Sequence, residues 1–97
     1  MELGGNGPVV VLRDADLEKA AEGILAGSFG NAGQICTSTE RVLVDDSVAD
    51  ELVKIILSKM DRYVVGNPMD EKTTMGPVHN RSTVDTVMEH VQDAIDK

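Results

Sequence analysis

The chain has 97 residues, a formal net charge of −8 and two aromatic side chains, Phe29 and Tyr63. That length allows one small domain, whose core must be built from Val, Ile, Leu, Met and Ala. The acidic balance, with no Lys/Arg run, speaks against nucleic acid and against an anionic membrane surface as partners. No apolar stretch approaches the ~20 residues that cross a bilayer. The N-terminus lacks the basic and apolar regions of a signal peptide, and a lone cysteine, Cys36, forms no internal disulfide. A cytoplasmic location is the expectation.

In chain order, Val9-Val10-Val11-Leu12 follows Pro8 as a short β-branched run, which predicts a strand buried on both faces. Asp14 or Asp16 then caps a helix. Leu17, Ala20, Ala21, Ile24, Leu25 and Ser28 recur at helical spacing and give it one apolar stripe, with Gly30 and Gly33 marking its end. Arg41-Val42-Leu43-Val44 predicts a second strand. Ser47 with Asp50 resembles a capping box, and it opens a second amphipathic helix carrying Val48, Leu52, Ile55, Ile56, Lys59 and Met60, with Lys59 snorkelling. Gly66-Asn67-Pro68 breaks the pattern. A loop runs to His79, with Met75-Gly76-Pro77 as a turn. Ser82 is expected to cap a third helix bearing Val84, Val87, Met88, Val91 and Ile95.

The order is β-α-β-α-α, an α/β arrangement. Strand, helix, strand in one domain implies a parallel pair joined by a right-handed crossover. Two strands leave open edges, which invite pairing with a second copy or a complementary chain.

The chemistry-bearing residues gather in two short motifs. Cys36 ends the run Gly30-Asn31-Ala32-Gly33-Gln34-Ile35-Cys36 and is followed by Thr37-Ser38-Thr39. A glycine-bordered loop lets substrate approach a thiol and lets backbone N–H groups point inward. A buried structural cysteine is the competing reading. Glu2 lies in Glu2-Leu3-Gly4-Gly5-Asn6, and a carboxylate near a thiolate can complete a covalent acyl cycle as general base. The competing reading of Glu2 is an exposed, frayed terminal carboxylate. Gly4 and Gly5 suit a positive φ or a close backbone approach, but Gly4-Gly5-Asn6-Gly7 lacks the spacing of a phosphate cradle. Gln34 and Asn31 carry amides that can hold the cysteine loop in shape, beside Gly33. His79 and His90 have no metal-ligand spacing with Cys36, so no metal is expected.

These motifs, in this order, resemble the NAD(P)-dependent aldehyde dehydrogenase superfamily: Glu2-Leu3-Gly4-Gly5, then Pro8 and an apolar run, then Asp14-Ala15-Asp16, then Gly33-Gln34-Ile35-Cys36, then Met75-Gly76-Pro77. The resemblance spans essentially the whole chain. It implies the first part of a catalytic domain, residues 1–97, without the cofactor-binding domain that precedes it in the family. It further implies that Cys36 attacks an aldehyde to give a thiohemiacetal, and that Glu2 activates the water that hydrolyses the resulting thioester. A Glu at this position favours hydrolysis over transfer to coenzyme A. Gly4 would lie on the nicotinamide side of NAD or NADP. The Cys36 N–H would be one oxyanion donor, with the other, an Asn side chain, outside this chain. Asn6 and Thr37 are similar to semialdehyde- and lactaldehyde-type members. A chain lacking a cofactor site is not expected to turn over alone. A non-catalytic remnant that self-associates or pairs with a complementary chain is the alternative.

Overall fold

Among the described residues, two parallel strands and two helices laid on one of their faces form the part with a packed interior. The computed structural model describes Met1 and residues 3–97. Strand β1 runs Gly7–Val11, helix α1 Leu17–Phe29, strand β2 Thr39–Val44, helix α2 Asp46–Lys59 and helix α3 Arg81–Asp96. Short 3₁₀ turns follow α1 at Gly30–Gly33 and α2 at Met60–Arg62. The expected β-α-β-α-α order and the parallel pairing are both present, with Val9 opposite Val42, Val10 opposite Leu43 and Val11 opposite Val44.

The strands are covered on one face only, which corrects the expectation of a strand buried on both. Val11 is buried and joins Ala21, Ile24 and Leu52 in the core, with Val9, Val44, Ile55 and Ile56 packed around them. On the other face Val10 and Leu43 are 63% and 55% exposed, because both helices lie on the side of Val11. The continuous apolar run therefore reflects a two-sided hydrophobic strand of which this chain covers one side. Leu25 and Leu52 are the largest fully buried side chains, each contributing roughly 1.5–3 kcal/mol by leaving water.

Local chemistry explains the element ends. Asp16 caps α1, its carboxylate accepting from the Lys19 N–H at 3.1 Å. Asp45, rather than Ser47, caps α2: its Oδ1 accepts from both the N–H and the hydroxyl of Ser47, at 3.1 and 2.6 Å. Asn80, rather than Ser82, caps α3 by accepting from the Thr83 N–H and hydroxyl. In both corrections the helix begins before the first residue of the apolar stripe, and the nearest side-chain acceptor wins. At Met75-Gly76-Pro77, where a turn was expected, Met75 is bridged in parallel to Val65 and no turn forms. The chain reverses earlier, where Asn67 and Asp70 carbonyls and side chains accept from Met69, Asp70, Lys72 and Thr73.

Three ion pairs brace α1 against α2 and the turn that follows it. Lys59 does not end in water but bridges Glu18 and Glu22, each at 2.9 Å, and Arg62 adds a second contact to Glu22 at 2.7 Å. Hydrogen bonds from Arg62 and Lys59 hold the Glu22 carboxyl down to about 2. Helix α3 has its apolar stripe as predicted, but none of its residues is buried, and Val87, Met88, Val91 and Ile95 are exposed.

Candidate functional site around Cys36

The segment that positions Cys36 is built from an unusual backbone. After α1 ends, Asn31, Ala32 and Gly33 take φ values of 51°, 55° and 75° in succession. For Ala32 the left-handed region costs about 1–2 kcal/mol, and strain of this kind is kept where surroundings over-determine it. Here they do. The Asn31 Nδ2 donates to the Gln34 carbonyl at 3.3 Å, and the Gln34 Nε2 donates to the Asn31 carbonyl at 2.9 Å. The Gln34 Oε1 also accepts from the His79 N–H at 2.7 Å, tying this turn to the loop before α3. Gly33 closes the turn, where a Cβ would meet the Ser28 carbonyl oxygen at 3.1 Å.

A tight turn follows, closed by the Ser38 N–H donating to the Ile35 carbonyl at 2.9 Å. Cys36 sits at its second position, exposed and free, with its own N–H outside the closing bond. The glycine-rich segment ahead of β1 lies directly against this turn. A Cβ on Gly5 would overlap the Cys36 carbonyl, and one on Gly7 would overlap the Ser38 carbonyl. Only glycine permits that approach. Gly4 has φ 71°. Ser38 is buried, and its hydroxyl has no hydrogen bond among the described residues.

Cys36 opens onto a pocket of about 220 Å³ lined by Gly4, Gly5, Gly33, Gln34, Ile35 and Glu40. The structure thus brings together Cys36, Gly4, Gly33 and Gln34 from the residues marked by sequence, while Asn31 acts one step back through Gln34. Glu2 lies outside the described residues. His79 reaches the site only through its backbone, and His90 is exposed on α3. Among the described residues no three His, Cys, Asp or Glu side chains form a metal cluster, and no helix is long and apolar enough to cross a membrane. Ile35 and Glu40 are the pocket residues that sequence reasoning missed. Glu40 is the second residue of β2, beyond the turn, so its place in a pocket with Cys36 depends on how the turn folds back, which no local pattern marks.

An exposed thiol in a glycine-walled turn beside a parallel strand pair covered by helices marks this chain as an α/β protein with a candidate nucleophile. The family model described as the aldehyde dehydrogenase family matches residues 1–97, and the chain belongs to that family. It is 44% identical over 97 residues to a lactaldehyde dehydrogenase of Methanocaldococcus jannaschii, covering all of this chain and 21% of the relative. It is 43% identical to a succinate-semialdehyde dehydrogenase [NADP(+)] of Saccharomyces cerevisiae, covering 99% of this chain and 19% of that protein. The crystal structure of glyceraldehyde-3-phosphate dehydrogenase GapN from M. jannaschii complexed with NADP superposes with a TM-score of 0.91 at 45% identity, over 98% of this chain and 21% of that one. The chain therefore spans about a fifth of the length of the relatives it matches.

The N-terminus of α1 does not fit the pyrophosphate of a dinucleotide. Such a site sets the pyrophosphate on a helix N-terminus behind a glycine-rich turn that follows a strand. Here β1 leads through Asp14 and Asp16 into α1, and the Asp16 carboxylate already accepts from the Lys19 N–H there. Two carboxylates beside that terminus would repel a pyrophosphate. The Cys36 pocket is also below the roughly 300–1,000 Å³ of small-molecule clefts.

Proposed function

We propose that this chain supplies the nucleophile of an NAD(P)-dependent aldehyde oxidation and does not carry the reaction alone. The reading rests on one observation: Cys36 is exposed in the wall of a pocket made by the two motifs that mark the family, the Gly4-Gly5 segment and the Gly33-Gln34-Ile35-Cys36 turn. Residues 1–97 are then the first part of a catalytic domain. The Cys36 sulfur adds to the carbonyl carbon of a small aldehyde. A C–S bond forms, the thiol proton leaves to solvent, the carbonyl π pair moves to oxygen, and the Cys36 N–H is the proposed donor to that oxyanion. Oxidation of the adduct requires a hydride acceptor, NAD or NADP in the proposed reaction. Glu2 is the proposed base for the hydrolysis that then frees the acid. The relatives' names point to short oxygenated aldehydes as the substrate class.

The test uses a 13C-carbonyl-labelled aldehyde and the purified chain. The expected result is a hemithioacetal resonance that is lost in Cys36→Ser, with no NADH or NADPH formed and no NAD⁺ or NADP⁺ binding by calorimetry. Steady nicotinamide reduction by the pure chain would overturn the claim that it does not act alone. Absence of the adduct would remove Cys36 as nucleophile.

The uncovered strand face favours a second reading, in which the chain works through association. Val10 and Leu43 sit side by side on it, and the edges of β1 and β2 are open. A sedimentation profile showing dimers or larger species, reverting to monomer with Leu43→Lys, would support self-association; a monomer at all concentrations would oppose it.

A further inference from the structure

We propose that the Gln34 side chain is a positioning residue for carbonyl addition at Cys36, acting through the left-handed turn that sets the Cys36 N–H. The proposal rests on Cys36 being the nucleophile and its N–H the oxyanion donor. Gln34 is half-buried, and both ends of its amide are engaged. The Nε2 donates to the Asn31 carbonyl at 2.9 Å, and the Gln34 backbone N–H donates to the same carbonyl at 3.2 Å. In return the Gln34 carbonyl accepts from the Asn31 Nδ2 at 3.3 Å. Three hydrogen bonds therefore bracket Ala32 and Gly33. Inside that bracket Asn31 and Ala32 hold φ values of 51° and 55°, a region that is unfavourable for a residue with a Cβ and open to glycine. At its other end the Gln34 Oε1 accepts from the His79 N–H at 2.7 Å. A backbone donor on one side and a carbonyl on the other leave the amide one way to face.

The bracket ends one peptide short of the group it serves. The Gln34 carbonyl belongs to the peptide before the one that carries the Cys36 N–H. Downstream, the Cys36 carbonyl lies against Gly5, and the Ser38 N–H closes on the Ile35 carbonyl at 2.9 Å. The Ile35–Cys36 peptide is thus held from both sides, and Gln34 supplies the upstream hold. Without the side-chain amide, Asn31 and Ala32 are freer to leave the left-handed region and that peptide can rotate. Addition to an aldehyde feels the rotation, because the new alkoxide uses the N–H. Displacement at a saturated carbon does not, because no oxyanion forms.

Two reactions of the full chain separate these effects. With glycolaldehyde labelled with 13C at the carbonyl, an S–C bond forms, the π pair moves to oxygen, and that oxygen takes up a proton as the thiol releases one. With iodoacetamide, an S–C bond forms, the C–I bond breaks, iodide leaves and the thiol proton goes to buffer. Addition is followed by 13C magnetisation transfer and alkylation by intact mass, on chains with native circular dichroism. The ratio of the two rates cancels changes in thiol ionisation and exposure. Gln34→Met, close in length but without the amide, should lower the ratio about 3–10-fold, the worth of one hydrogen bond. Gln34→Glu, which keeps an acceptor for the His79 N–H but sets an oxygen against the Asn31 carbonyl, should lower it as much. Adding Ala32→Gly to Gln34→Met should restore the ratio in part, since glycine takes the left-handed conformation freely. A ratio unchanged in both Gln34 variants, or a lowered ratio that Ala32→Gly does not raise, would overturn the positioning role while leaving Cys36 a nucleophile. Labelling by iodoacetamide with no aldehyde adduct on the native chain would overturn the nucleophile reading and this role with it.

Discussion

The first 59 residues and the last 38 of this chain are held together by different physics. In the first, Val11 of β1, Ala21 and Ile24 of α1 and Leu52 of α2 form a buried cluster, with Val44 of β2 packed against it. In the second, polar threads carry the structure: the Arg62 carbonyl and Val64 N–H meet the Thr74 hydroxyl, Asn80 caps α3, and Gln34 takes the His79 N–H. Phe29 against Tyr63, with ring centres 4.8 Å apart, is an aromatic contact joining the two. Apolar residues are present in both regions, so composition does not make the difference. Coverage does: the stripe of α2 lies on β1 and α1, whereas the stripe of α3 flanks an apolar groove with Phe29, Val65, Met75 and Val78 and stays exposed. Hydrophobic residues stabilise a fold only when another surface removes them from water.

The strongest way to break the comparison is a pair of truncations. Leu52→Ala, at a side chain 2% exposed, should cost about 2–5 kcal/mol in chemical denaturation. Val91→Ala, on exposed α3, should fall within about 0.5 kcal/mol of the parent. Equal losses would show that the second region has a core of its own. A finer probe is Gln34→Ala, which removes the acceptor of the His79 N–H. A loss of about 0.5–1.5 kcal/mol is expected, with faster amide exchange in residues 79–84 and unchanged protection in α1. The smallest effect is the acid response of the α1–α2 brace. The Glu22 carboxyl is held down to about 2 from an ordinary 4.5. A lowered folded-state value stabilises above the unfolded one and is lost as pH falls from about 4.5 toward 2. Glu22→Gln should therefore flatten the stability profile in that window and leave it unchanged near neutrality in shape, a difference readable by thermal scans. Because the brace is solvent-exposed, high salt should reduce the difference.

Much of this was legible in the residues themselves. The stripe Ala21, Ile24 and Leu25 marked the buried face of α1, and Leu52 that of α2, because a helix with one apolar side has one way to bury it. The run of glycines around Gly4 and Gly5 announced a close approach, although not its target, the Cys36 carbonyl. The caps at Asp45 and Asn80 were displaced by two residues, since Ser47 and Ser82 are equally good acceptors and the choice falls to where the preceding strand or loop delivers the chain.

What the sequence determined by itself was the element order, the parallel strand pair and membership of the aldehyde dehydrogenase family. These follow from periodicity, from punctuation by glycine and proline, and from short motifs whose members are near neighbours. What only the tertiary structure decided was which strand face is covered, that no residue of α3 is buried, and that Glu40 shares a pocket with Cys36. Those are relations between surfaces. They depend on how a left-handed turn at Asn31, Ala32 and Gly33 redirects the chain, and on which face two helices occupy. A one-dimensional pattern encodes that a face is apolar, but the partner that covers it is chosen in three dimensions.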